Sequence, residues 1–404
     1  MIHKTIPYLG GRFFDGISSG MFMMALPWIL ITESGSGSFV AIVTLICTLS
    51  SFLLTPVLST LIDRHSRKAI LVWVQVIQTT TALLVMVAAL NQLASPWLLA
   101  AAQWIFWNSN DVAWSANNAF TQENYTREEY ARITGQQEVV MQLTLLGAGG
   151  AGIVLLELWS MSEFALFAVL ASGLSALCYA LTPYHRKLSQ ASANVPFNQQ
   201  LKETGHLFKL QPRFYLFLAL SCLSYPMLTY LTKLVPIYFA EQGISGMWFA
   251  GWKVSYGIGA LICGLIVAQL LRTVVFERAM LVSMMAMSLL LIVMSLYLSP
   301  LVMVVLVVII GFFNSFNRIA RITKMNHEVA IAQRGRIDGG LKLFSTLSQS
   351  ASYVLIALLS HYNLTVYGFL SIALVMLLST LMMLQLYRRG AHQANFSAAN
   401  PQAA

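Results

Sequence analysis

Apolar residues fill the chain in long unbroken stretches, and charged residues come in short clusters between them. Residues 34–62, 69–110, 279–317 and 343–387 carry no Asp, Glu, Lys or Arg. An α-helix needs about 20 apolar residues to cross a bilayer. Three of these stretches are long enough for two such helices. Each has a turn signal in its middle: Asn91-Gln92 with Ser95-Pro96, Ser299-Pro300, and His361-Tyr362-Asn363. The pattern predicts hairpins of paired spans near 11–32, 39–62, 70–90, 97–120, 133–156 and 163–183. Beyond a polar segment, further spans fall near 214–240, 247–270, 279–298, 301–322, 337–360 and 364–387. The expected fold is an all-α membrane protein with twelve transmembrane helices in two pseudo-symmetric six-helix bundles, 1–183 and 214–389. A cytoplasmic linker over 184–213 joins them, and a small, polar tail over 390–404 is expected to be disordered.

Composition supports membrane residence. Of 404 residues 57% are hydrophobic and 10% charged, against about 25% charged in a soluble domain. This excludes a soluble enzyme, a disordered chain and a nucleic-acid-binding domain. The net charge of +9 would suggest a polyanionic partner in a soluble protein, but position explains it better. With the N-terminus in the cytoplasm, 21 of the 24 Lys and Arg lie in cytoplasmic loops, tails or span ends, and the opposite turns have none. The other three, Lys233, Lys253 and Lys342, fall inside spans. A wrong span count would break this alternation, so a multi-pass protein with both termini cytoplasmic is expected.

Other signals are few. The opening residues are too polar for a cleavable signal. Cys47, Cys178, Cys222 and Cys263 lie in apolar runs without paired spacing, so no disulfide, metal or cofactor is expected. There is no phosphate-binding loop of the G-x-x-x-x-G-K-[ST] kind, so ATP drive is unsupported.

The two halves also match in detail. Arg132-Ile133-Thr134-Gly135 and Arg336-Ile337-Asp338-Gly339 lie 204 positions apart, and at that offset Asn110 corresponds to Asn314 and Lys68 to Arg272. With equal span counts about a central linker, this supports two duplicated halves, an arrangement that places a binding site between them at mid-membrane.

At the end of the second span, Ser59-Thr60-Leu61-Ile62-Asp63-Arg64-His65-Ser66-Arg67-Lys68 resembles the G-x-L-a-D-R-x-G-R-R loop of the major facilitator superfamily, with serines in place of both glycines. Asp15 followed by Ala25-Leu26-Pro27, together with Gly335-Arg336-Ile337-x-Gly339, is similar to the enterobactin-exporter-like branch. The Gly147–Gly152 run lacks the proline of the antiporter motif, and the arginine of drug/proton antiporters is absent from the fourth span. The resemblance implies that Asp63 and Arg67, with Arg64 and Lys68, form an interhelix network holding one state of a transport cycle. The alternative is a plain topogenic basic loop, but Asp63 accompanies the bases in the register that favours the conformational role.

Charges inside spans are costly, about 2.5–3.5 kcal/mol each near a helix centre, so they face a cavity or a partner. In the first half they are acidic: Asp15, Asp111 and Glu138. In the second they are basic: Lys233, Lys253 and Lys342, with Arg318 a turn or so inside its span. The acids are candidates for proton coupling and the bases for contact with an anion. Arg12, one turn before Asp15, is an alternative partner that simply neutralises it. The fourth span places Trp107, Asn110, Asp111, Trp114 and Asn118 on one face, which suits either an aqueous cavity or interhelical hydrogen bonds. Arg318 with Asn314, Lys233, Tyr230, Asn110 and Trp107 are the candidate substrate contacts, although Arg318, Lys253 and Lys342 can also reach headgroups. Pro226 is expected to free a carbonyl and kink its span.

Together these features predict a proton-coupled secondary exporter in a bacterial-type inner membrane, working by alternating access. It is not an enzyme and is expected to act as a monomer. The cargo expected is a small anionic molecule, in particular a siderophore of polycarboxylate type. A multidrug antiporter for lipophilic compounds is the alternative. A non-transporting sensor or scaffold is disfavoured because no extramembrane domain is present to signal.

Overall fold

The computed structural model describes residues 2–34, 37–187, 205–362 and 364–399. These residues form helices with short connections. The first six are α1 (Ile2–Ser34), α2 (Gly37–Arg64), α3 (Arg67–Leu90), α4 (Pro96–Asn124), α5 (Tyr130–Leu158) and α6 (Met161–Leu181). The rest are α7 (Pro212–Cys222), α8 (Ser224–Glu241), α9 (Gly246–Thr273), α10 (Phe276–Leu296), α11 (Pro300–Glu328), α12 (Arg334–His361) and α13 (Thr365–Ala399). Among the described residues nine spans are long and apolar enough to cross a membrane. The chain is thus an all-α, multi-spanning membrane protein. The fourth span is not one of the nine, because polar residues from Asn108 to Asn118 interrupt its apolar run. Of the linker, residues 188–204 lie outside the described residues, as do 400–404 of the tail, whose earlier part continues α13 to Ala399.

Local signals set the hairpins. Ser66 and Ser95 cap α3 and α4 by accepting the N–H of Ala69 and Leu98, and Pro96 opens α4 where no intrahelical donor is needed. At the start of α6, Glu163 accepts the Ser160 N–H at 2.6 Å. Between α8 and α9, Gly243 takes φ 65°, a turn geometry that a side chain would strain.

The chain forms two compact units. The first comprises Met1–Lys202 together with Asn326–Gly340, and the second Glu203–Met325 together with Leu341–Ala404. The segment 326–340 thus belongs to the unit built from the earlier half of the chain. In the first unit α1 packs on α5 and α6, and α3 on α4 and α6. Phe22 and Phe106 meet at 4.5 Å in a cluster with Leu26, Val85, Leu99 and Ala165. In lipid, water is not there to drive helices together, so close packing and interhelical hydrogen bonds hold such a unit. In the second unit the crossing of α9 and α11 depends on two glycines. A Cβ on Gly259 would strike the Val308 carbonyl, and one on Gly311 the Tyr256 carbonyl.

The span expected over 214–240 is two helices, with the break at Cys222–Leu223. The cause is Pro226, which has no N–H to offer the Cys222 carbonyl four residues earlier. The chain recovers with a tighter bond, Leu223 N–H to Leu220 O at 3.1 Å.

Candidate functional site

Asp63 lies in the last turn of α2 and is 3% exposed. Its Oδ1 accepts the backbone N–H of Gly335 at 2.7 Å and its Oδ2 that of Arg336 at 3.0 Å. Both donors are in the first turn of α12, where N–H groups lack intrahelical partners and the helix dipole favours an anion. Arg67 Nη2 lies 3.6 Å and Arg336 Nε 3.4 Å from the same carboxylate. Arg67 is fully buried; it donates to the Ala119 carbonyl at 3.0 Å and to the Ile331 carbonyl, and lies 3.7 Å from Glu123. Gln122 donates to the Asn326 and Val329 carbonyls at 3.1 and 2.6 Å. Arg334 pairs with Asp338 at 2.7 Å, and Asn118 donates to Asp338 at 3.4 Å. The ends of α2, α3 and α4 therefore grip residues 326–340 from three sides.

The grip depends on close approach. A Cβ on Gly335 would lie 2.6 Å from the Ser59 carbonyl oxygen, and one on Gly339 2.6 Å from Ser59 Oγ. Hydrogen is the only side chain that fits at either position without displacement.

Other residues of the loop motif act nearby. Lys68 Nζ donates to the Thr182 carbonyl at 2.8 Å, closing the end of α6. The Arg64 carbonyl accepts from Arg186 at 3.1 Å. Glu123 accepts from Tyr184 Oη at 2.5 Å and from the Lys187 N–H at 2.8 Å, so it joins the start of the linker to Arg67. Burial, and next its hydrogen bond to Glu123, push the Tyr184 phenol well above its ordinary pKa, so it remains a donor.

The acids expected inside the spans all lie in the first unit. Asp15 is buried between α1 and α3, where Gln75 Nε2 donates to it at 2.8 Å and Ser19 Oγ at 3.3 Å. Asp111 accepts from Ser51 on α2. Asn110 accepts from Gln78 on α3 at 3.1 Å, and Trp107 packs against Val43, Cys47 and Ala100. Glu138 is buried and accepts from Gln142 at 2.8 Å. The polar residues of α4 thus engage α2 and α3 through side-chain hydrogen bonds.

In the second unit the break between α7 and α8 has its own cap. The Ser221 carbonyl accepts from Asn317 Nδ2 at 2.8 Å and from Arg321 Nη1 at 2.9 Å, while Asn317 also donates to Ser224 Oγ at 2.9 Å. Asn314 donates to Tyr256 Oη at 2.6 Å, and Arg318 is half-buried one turn further along α11. Tyr230 faces α13: it is fully buried, and its hydroxyl donates to the Gly368 carbonyl at 3.1 Å. Lys233 is exposed at the edge of an open groove of about 500 Å³. Asn317→Ala is expected to leave Ser221 and Ser224 short of a partner, at about 1–3 kcal/mol. Thermal unfolding of the purified protein should show this as a midpoint lowered by a few degrees.

A sequence model of the Major Facilitator Superfamily matches residues 8–352. The chain belongs to this superfamily. Solved transporters share its fold. A bacterial homologue of the iron transporter ferroportin in an outward-facing state superposes with TM-score 0.74 at 14% identity, covering 95% of this chain and 99% of that one. The human organic anion transporter MFSD10 gives 0.77 at 12%, again over 95% and 99%. The E. coli fucose:proton symporter FucP gives 0.73 at 13% over the same shares. No curated protein sequence matches the chain. At these identities the likeness is one of fold. Membership nonetheless makes the chain a membrane transporter of the superfamily and not an enzyme.

The superfamily loop motif accounts for Asp63 and Arg67 but not for every residue around them. Gln122, Glu123 and Arg334 beside them, and Arg321 at the helix break of the second unit, carry no site signal of their own in the sequence, since polar side chains at span ends look like solvated loop positions. The signal available was the 204-position offset, which pairs Gln122 with Asn326, its own hydrogen-bond partner.

Proposed function

We propose that the chain is a proton-coupled exporter of a small anionic organic molecule, working by alternating access across a bacterial-type inner membrane. In this reading twelve spans form two six-helix bundles with both termini cytoplasmic. The cargo class is a siderophore, with polycarboxylate chemistry the best fit. The observation that carries the reading is the division of charge: Asp15, Asp111 and Glu138 lie in the first unit, Lys233 and Lys253 in the second. A carboxyl inside a span is a candidate proton carrier, and a lysine inside a span is a counterion for an anion. The grip on residues 326–340 is the element that opens and closes during the cycle. Transport of an organic anion by one structural relative and proton coupling of another agree with this assignment.

A deletion strain under iron limitation is expected to accumulate siderophore internally and to secrete less; unchanged secretion sinks the cargo assignment. In inverted vesicles, collapse of the pH gradient should stop transport. Asp15→Asn should lower gradient-driven transport more than tenfold with the protein still folded, since asparagine can accept the same Gln75 bond. Full transport by this variant removes Asp15 from the mechanism.

A further inference from the structure

The hairpin of α8 and α9 carries two lysines whose positions are matched. Lys233 lies eight residues before the end of α8 and Lys253 seven residues after the start of α9. At 1.5 Å per residue both lie roughly 10–12 Å below the hairpin turn, inside a hydrocarbon layer about 30 Å thick. The two helices pack on one another, so the lysines sit at one depth on touching helices. Lys253 Nζ also sits 4.9 Å from the Phe249 ring, one turn earlier on its own helix.

Among the described residues neither lysine is paired with a carboxylate in its unit. Glu241 and Glu277 are the only acidic side chains among the described residues there. Glu277 is taken by Lys324, and Glu241 accepts from Thr365 Oγ1 at 2.8 Å. The groove beside Lys233 brings Tyr353, Ser360 and His361 of α12 to the same place, over an apolar floor of Ile237, Ile356 and Ala357. Two like charges at matched depth on touching helices within a span cost free energy unless an anion completes the site.

We propose that Lys233 and Lys253 form a paired-ammonium site for a ligand bearing at least two anionic groups, with the groove beside Tyr353 and His361 taking its uncharged part. This rests on the reading of the chain as an anion exporter, and adds where the cargo is held and what charge it needs. Paired anionic groups occur both on soluble polycarboxylates and in the phosphates of packed lipid headgroups, and the proposal commits to the soluble ligand.

The test uses the full-length protein in phosphatidylcholine nanodiscs, with citrate as the polyanion probe and acetate as the single-charge control. Citrate is expected to bind saturably and acetate not to. Lys233→Gln and Lys253→Gln should each weaken citrate binding about tenfold or more. The Lys→Arg variants, which keep the charge, should bind within a few-fold of the parent and certify that the site is folded. Citrate binding that is absent, matched by acetate, or indifferent to both glutamine variants overturns the proposal. So does loss of citrate binding when phosphatidylglycerol is added to the nanodisc, because the lysines then serve a lipid headgroup. The secretion measurement is independent: normal citrate binding with normal secretion in the deletion strain would leave this site standing and remove the exporter reading.

Discussion

Asp63→Asn is expected to release residues 326–340 from the first unit and to abolish net transport while its helices remain formed. The carboxylate accepts two backbone N–H groups at the start of α12 and lies within 3.6 Å of two guanidinium groups. Asparagine retains one acceptor oxygen and turns an amide donor toward N–H donors. It also removes one of the two carboxylates beside the buried Arg67, Glu123 remaining at 3.7 Å, and the carboxylate 3.4 Å from Arg336. Removing one member of a buried charged set costs about 3–5 kcal/mol. Amide exchange at Gly335 and Arg336 should therefore accelerate by about two orders of magnitude or more. Exchange within α1 and α6 should not change. Unaltered exchange at Gly335 would show that the carboxylate does not hold the segment.

Gly339→Ala should produce the second largest effect through shape alone. Its Cβ would lie 2.6 Å from Ser59 Oγ and 2.7 Å from Ser59 Cβ. Overpacking of this kind costs about 1–3 kcal/mol, enough to shift the docked population of this segment by roughly 5- to 150-fold. Transport should fall, and Ser59→Gly in the same chain should restore part of it by removing the obstructing atoms. Rescue fails to appear if the glycine matters for a reason other than this contact. The pairing of a damaging and a compensating substitution separates packing from general instability.

Helices and charge clusters were legible in the sequence because both follow from membrane physics: apolar length sets a span and basic residues sort to one side. Asp63 and Arg67 were legible through a motif, and the break near Pro226 through the missing proline N–H. The partners of buried polar groups were not legible. Periodicity shows that Asn110, Asp111 and Trp107 share a face of α4, but not that α2 and α3 supply Ser51 and Gln78 to meet them. Tyr230 reads equally well as a cavity residue or a packing residue until its bond to Gly368 on α13 is seen. Asp15 is similar: Arg12 is its near neighbour in sequence, yet Gln75 on another helix and Ser19 on its own donate to it.

The grip of Asp63 on Gly335 and Arg336 spans 272 and 273 positions of the chain. During synthesis at about 5–20 residues per second, the first six helices therefore wait on the order of tens of seconds for the segment that completes them. Throughout that interval Asp63, Arg67 and Gln122 lack the backbone groups they later hold. An isolated first half, translated alone, would remain in that condition permanently. Co-expression of the two halves as separate chains should consequently protect the first from degradation, because the second supplies residues 326–340: the end of α11, the turn after it and the start of α12.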